Sequence, residues 1–268
     1  MKTLILILLS MSTNLFAGDY CAGKIIEKNE ATIRLYDPQK SVSRQIVILP
    51  PTGGENKADR RLAKALCQRG HLVKVVDYPQ EVVTAPDFEG HERVTKDILK
   101  VFSDFFSREK YPTTIIGASL GGIYAGLIYS LAQGQDPAYE HLRLVDSLVA
   151  TVAGGPLPSV LATSTQEAVM KTRNERLASG RFSNIEEYRS YLDGLIFTDT
   201  MKLLHTNKQV LFYGSTNDTV VPTKTQVTLS SALLGQTFWI KGLGHSGTVA
   251  YVYYSKASEI SFFIRNLP

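Results

Sequence analysis

The chain has 268 residues, 44% of them hydrophobic, and a formal net charge of +4. That is enough chain for one domain with a full core, or one domain with an insertion. No basic run interleaved with aromatics occurs, which argues against a nucleic-acid partner.

The first segment reads as a signal peptide over residues 1–17. Met1-Lys2 is a short positive start, Thr3 to Met11 an apolar run, and Ser12 to Ala17 a cleavage region ending at Ala17. The apolar run is short for a membrane span, so no stable span is expected after cleavage. The product is then exported, to a periplasm or outside the cell. Cleavage removes Lys2 and no acid, which lowers the charge by one. Export permits a disulfide between Cys21 and Cys67. The alternative is two separate thiols, with Cys67 on the apolar side of a helix. Neither cysteine has metal-ligand spacing.

Lys24–Glu27 and Ala31–Tyr36 read as an early hairpin at a sheet edge. Gln45–Leu49 is a short apolar strand expected to be buried on both faces. It runs into the turn Pro50-Pro51-Thr52-Gly53-Gly54. A helix follows from Lys57 to Arg69, with Asn56 as N-cap, Asp59 near its start and Gly70 at its end. Leu72–Asp77 is the next strand. Val94, Ile98, Val101, Phe102 and Phe105 recur at helical spacing. Thr113–Ile116 is a β-branched strand, followed by Gly117-Ala118-Ser119-Leu120-Gly121-Gly122 and a helix from Ile123. Ser147–Val152 is a further strand.

From about 158 to 207 the alternation stops. Thr165–Ser179 and Ile185–Leu195 look helical and no strand is evident. Around fifty residues exceed what one crossover needs. The segment is expected to be a small helical cap, the alternative being ordinary connecting helices. Strands return at Val210–Gly214 and Thr237–Ile240, and Tyr251–Tyr254 fall in a last helix. The order of elements predicts an α/β fold, with a mostly parallel central sheet flanked by helices on both faces.

Three polar residues stand just past strand ends, where open α/β sheets place their sites. Ser119 lies in a G-x-S-x-G turn between strand and helix. A serine on such a tight turn needs neighbours two positions away with almost no side chain, which Gly117 and Gly121 supply. Asp218 follows the strand at Val210–Gly214. His245 lies in a Gly-rich loop after Thr237–Ile240. Other titratable residues read as structural or surface groups: His71, His91, His141, His205, Asp193 and Asp199. Asp77 also follows a strand, but it precedes Ser119 in the chain.

From about Ser43 to the C-terminus the chain resembles the α/β-hydrolase family, of the serine esterase and lipase type. The resemblance rests on Gly117–Gly121, Asp218, His245 and the Pro50–Gly54 turn. It implies that Ser119 is the nucleophile, His245 the general base and Asp218 the residue that orients the imidazole. It implies an oxyanion hole from the Leu120 backbone N–H and a second N–H, from Gly53 or else Thr52. The family often carries His-Gly where Pro51-Thr52 stands here. The implied activity is cleavage of a carboxylic ester or thioester through an acyl-enzyme, on a small-molecule or lipid acyl substrate. No metal or organic cofactor is implied. An acyltransferase with the same residues, or a non-catalytic binding module, are the alternatives.

Overall fold

The computed structural model describes residues 20–28, 30–78, 90–205 and 209–268. The expected signal peptide lies outside them. Eight strands form one sheet in the order β1-β2-β4-β3-β5-β6-β7-β8. They are β1 (Lys24–Lys28), β2 (Thr32–Tyr36), β3 (Gln45–Leu49), β4 (Leu72–Asp77), β5 (Thr113–Ala118), β6 (Val145–Thr151), β7 (Val210–Ser215) and β8 (Gln236–Ile240). β1 pairs antiparallel with β2, and β2 antiparallel with β4. Every pairing from β4 to β8 is parallel. The expected edge hairpin and mostly parallel sheet are both present.

The central strands are buried along their whole length, as β3, β5 and β7 are. A strand covered on both faces has no polar side to show, so its sequence is a continuous apolar run. Period two still sorts the residues between two cores. Val47 and Leu49 pack with α2 (His91–Ser107) and α3 (Leu120–Gln133), through Phe102, Tyr124 and Ile128. Ile46 and Ile48 pack with α1 (Lys57–Gln68), through Leu62 and Leu66. The same second core takes Val252 of α8 (His245–Ser255) and Ile260 of α9 (Ala257–Arg265).

Local chemistry sets the helix that follows the first central strand. The Asn56 side chain accepts from the Ala58 N–H at 2.7 Å, and Asp59 accepts from the Asn56 N–H at 2.9 Å. This reciprocal capping box begins α1. The helix ends before Gly70, whose φ is +93°.

Among the described residues, three helices lie between β6 and β7: α4 (Leu157–Thr163), α5 (Glu167–Ala178) and α6 (Ile185–Leu195). Sequence periodicity marked the last two. It missed α4, because Leu157, Pro158, Val160, Leu161 and Ala162 are all buried and leave almost no polar stripe. α4 packs on both α5 and α6. The connection from β7 to β8 carries a further helix, α7 (Thr223–Leu233), and the C-terminal region holds two helices where one was expected.

Cys21 and Cys67 form a disulfide with Cα atoms 5.8 Å apart. It ties the segment before β1 to α1, so the staple, not two separate thiols, is the arrangement. Closing this loop removes unfolded-state entropy, which for its 46-residue separation is worth about 2–4 kcal/mol. Cys21→Ser is expected to lower the urea midpoint accordingly, and reductant is expected to do the same to the wild type. Equal midpoints in all three samples would show that the bond adds nothing.

Candidate active site

β5 delivers Ser119 at its C-terminal end. Ser119 is the N-cap of α3 and has φ 55° and ψ −123°, a conformation side chains rarely adopt. Two hydrogen bonds hold it: its N–H donates to Thr151 O at 2.9 Å, and its own carbonyl accepts from Ile123 N–H at 3.0 Å. The flanking glycines have a steric cause. A Cβ on Gly117 would lie 2.2 Å from Gly121 O, and one on Gly121 would lie 2.2 Å from Leu49 O. The start of α3 thus presses directly on the backbone of β3 and β5.

β7 and the turn after it deliver Asp218, whose side chain is fully buried. Its Oδ1 accepts from the Val220 and Val221 N–H groups at 2.9 and 3.0 Å. Its Oδ2 accepts from Gln226 Nε2 at 2.9 Å and lies 2.7 Å from His245 Nδ1. A carboxylate can only accept, so Nδ1 carries the proton. That leaves Nε2 as the acceptor for the Ser119 hydroxyl, 2.9 Å away. Ser119, His245 and Asp218 therefore stand in one hydrogen-bonded line, although 126 residues separate the first two.

Sequence reasoning missed Gln226. Fully buried on α7, it also accepts from Ser215 N–H at 3.0 Å and donates to Val221 O at 2.7 Å. It locks the Asp218 turn to the end of β7. A glutamine inside a helix carries no local signal for that task. The loops of Asp218 and His245 are joined as well, through Ser215 Oγ to Leu243 O and Gly242 N–H to Asn217 Oδ1.

The two expected backbone donors are placed differently. Leu120 opens α3, where the first N–H groups have no partner within the helix. Thr52 lines the cavities that hold Ser119. Gly53 is exposed at φ +95°, with no atom within 4 Å of where a Cβ would sit. Gly54 N–H bonds Pro51 O at 3.1 Å, closing a turn with Thr52 and Gly53 at its tip. Behind that turn, Asp77 lies against Gly54, and burial pushes its carboxyl up. Burial pushes neighbouring Asp59 up to about 7.

Two cavities meet at Ser119. One, of about 610 Å³ including its mouth, is walled by Leu120, Ile123, Leu157, Val160, Leu161 and Val169. The other, of about 910 Å³ including its mouth, is bordered by Thr52, Asn56, Gln166, His245 and Ser246. Helices α4 and α5 thus furnish much of the apolar wall.

Among the described residues, none of the other histidines and acids singled out in the sequence bonds Ser119, His245 or Asp218. His71 bonds Ser261 Oγ at 2.7 Å, and burial beside Arg265 holds it down at about 4. His91 borders the apolar cavity and contacts Thr95 Oγ1 at 3.1 Å, its pKa lowered by burial. His205 contacts Leu203 O, and His141 lies in the 3₁₀ segment Pro137–Leu144. Asp199 accepts from the Leu157 N–H at the start of α4, and Asp193 pairs with Lys202. Among the described residues no helix is long and apolar enough to cross a membrane.

This sheet order, with a strained serine after β5, an acid after β7 and a histidine after β8, is the architecture of the α/β-hydrolase fold. Solved structures share the fold. Est1E from Butyrivibrio proteoclasticus is similar at a TM-score of 0.59 and 14% identity, over 91% of this chain and 99% of that one. A lipase in an open form is similar at 0.57 and 15%, over 91% and 98%. MGS-MChE2, an α/β hydrolase enzyme from the metagenome of sediments of the lagoon of Mar Chica, Morocco, is similar at 0.50 and 18%, over 90% and 96%. No family model and no curated protein matches the chain in sequence.

Because Gly121 touches backbone and not a movable side chain, Gly121→Ala is expected to destabilise the fold by about 3 kcal/mol or more. Thermal denaturation reads this directly. A wild-type melting temperature in the variant would show that α3 can lift away from β3.

Proposed function

We propose that the protein is an exported serine hydrolase that cleaves a carboxylic ester through an acyl-enzyme. The observation that carries the reading is the hydrogen-bonded line from Ser119 through His245 to Asp218. Ser119 Oγ attacks the carbonyl carbon while His245 Nε2 takes its proton. Asp218 stabilises the imidazolium without itself taking the proton. The Leu120 and Thr52 N–H groups donate to the oxyanion. Collapse of the intermediate breaks the C–O bond, and His245 returns the proton to the departing alkoxide. Water, activated by His245 in turn, then releases the acid.

Thr52 replaces Gly53 as the second donor in this reading, because Thr52 borders Ser119 and Gly53 faces open space. The apolar cavity receives an aliphatic or aromatic acyl group, and the one bordered by His245 the alcohol and then water. The helices α4, α5 and α6 act as the cap that shapes the acyl side. The signal-like residues 1–17 support export, and the Cys21–Cys67 disulfide agrees with an oxidising compartment.

The test is a p-nitrophenyl ester series of increasing chain length, with fluorophosphonate labelling alongside. Wild type is expected to turn over and label, and Ser119→Ala to lose both, with turnover down by roughly a million-fold. Labelling without ester turnover points to a narrower substrate or an acyltransferase. Neither labelling nor turnover sinks the enzyme reading and leaves a binding module. Thr52→Pro removes one N–H at a turn position that tolerates proline. It is expected to lower kcat by about 100- to 1000-fold with the fold retained. An unchanged kcat returns the donor role to Gly53.

A further inference from the structure

Gln166 is the N-cap of α5. Its side-chain oxygen accepts from the Val169 N–H at 2.8 Å. Only an oxygen can face that N–H, so the amide nitrogen is the outward end. This nitrogen makes no hydrogen bond among the described residues.

The backbone around it is latched to the loop that follows Asp218. Gln166 N–H donates to Ser164 Oγ at 3.0 Å, and Ser164 Oγ donates to Val220 O. Thr165 N–H donates to Thr219 O at 2.9 Å, and the two threonine hydroxyls meet at 2.9 Å. The side chain of Gln166 is therefore not on a loose loop.

Four residues border both cavities: Thr52, Ser119, Val220 and Gln166. An ester bound with its acyl part in one cavity and its alcohol in the other has its scissile group at that boundary. Ser119 and Thr52 have roles there and Val220 is apolar. Gln166 is the remaining polar group.

We infer that Gln166 contacts the bound ester at its scissile group, its side-chain amide donating a hydrogen bond to an ester oxygen. The inference rests on the hydrolase reading above. It gives α5 a hand in the reaction beyond walling the acyl cavity.

The rival role is capping alone, and two variants separate them. Gln166→Glu keeps an acceptor for the Val169 N–H but has no amide donor. Gln166→Met keeps the length, stays neutral and loses both functions. Rates are taken per active site, titrated with fluorophosphonate. Donation predicts that kcat/KM falls about 10-fold in both variants, mainly through kcat, while the Glu variant keeps the wild-type melting temperature. Wild-type kcat/KM in the Glu variant overturns the inference, as does a loss confined to either variant. Should the Met variant fail to fold, the Glu variant decides alone. If the wild type neither labels nor turns over, the hydrolase reading fails and this inference with it, a result distinct from an active wild type matched by Gln166→Glu.

Discussion

The contact on which the rest depends is between backbones. The first turn of α3 lies against the ends of β3 and β5 so closely that a single added methyl at Gly117 or Gly121 would meet a carbonyl region at 2.2 Å. That approach lets the chain reverse within one residue and holds Ser119 at φ 55°. Such a conformation costs of order 1–3 kcal/mol and persists only where its surroundings over-determine it. Here the Thr151 carbonyl, the first turn of α3 and two buried strands supply that constraint. The same turn brings the hydroxyl to the rim of the sheet and leaves the Leu120 N–H at a helix start.

A second constraint is electrostatic. Asp218 is buried, and a buried carboxylate is tolerable only if its oxygens are satisfied. Two backbone N–H groups, the Gln226 amide and His245 satisfy them. The imidazole orientation follows from this arrangement, because the carboxylate accepts at Nδ1 and leaves Nε2 toward Ser119. Gln226 acts one step behind, tying Asp218 to the end of β7. The acid and histidine loops are then bonded to each other. The line of three side chains is thus set by a wider polar frame.

The helices between β6 and β7 connect this frame to the apolar side. Their short loop at Ser164–Gln166 is bonded to Thr219 and Val220, directly after Asp218. On the opposite side, Glu92 on α2 accepts from the Phe197 and Thr198 N–H groups at 2.7 Å. The segment is therefore tied to the loop after β7 through its α4–α5 turn and to α2 just past α6. In the proposed hydrolase, the position of the acyl group and that of the acid loop are mechanically linked.

Much of this was legible in the sequence, because some constraints are local. Apolar runs, an N-cap at Asn56 with Asp59 three residues on, and a glycine pair around Ser119 each reflect physics acting within a few residues. They determined the α/β class, the edge hairpin, the strand ends and the three residues that the fold brings together. Other features depend on who the neighbour is. The short α4 has no polar stripe to reveal it, Gln226 gains its meaning only beneath Asp218, and that Thr52 borders the cavities at Ser119 while Gly53 does not is visible only once the turn is placed. Whether Cys21 meets Cys67 was equally open, since pairing depends on where α1 packs. The sequence by itself determined the strands, the tight turns and those helices that keep a polar stripe. The tertiary structure alone decided which polar atoms meet across more than a hundred residues, because hydrogen-bond partnership is set by distance in space and not by spacing along the chain.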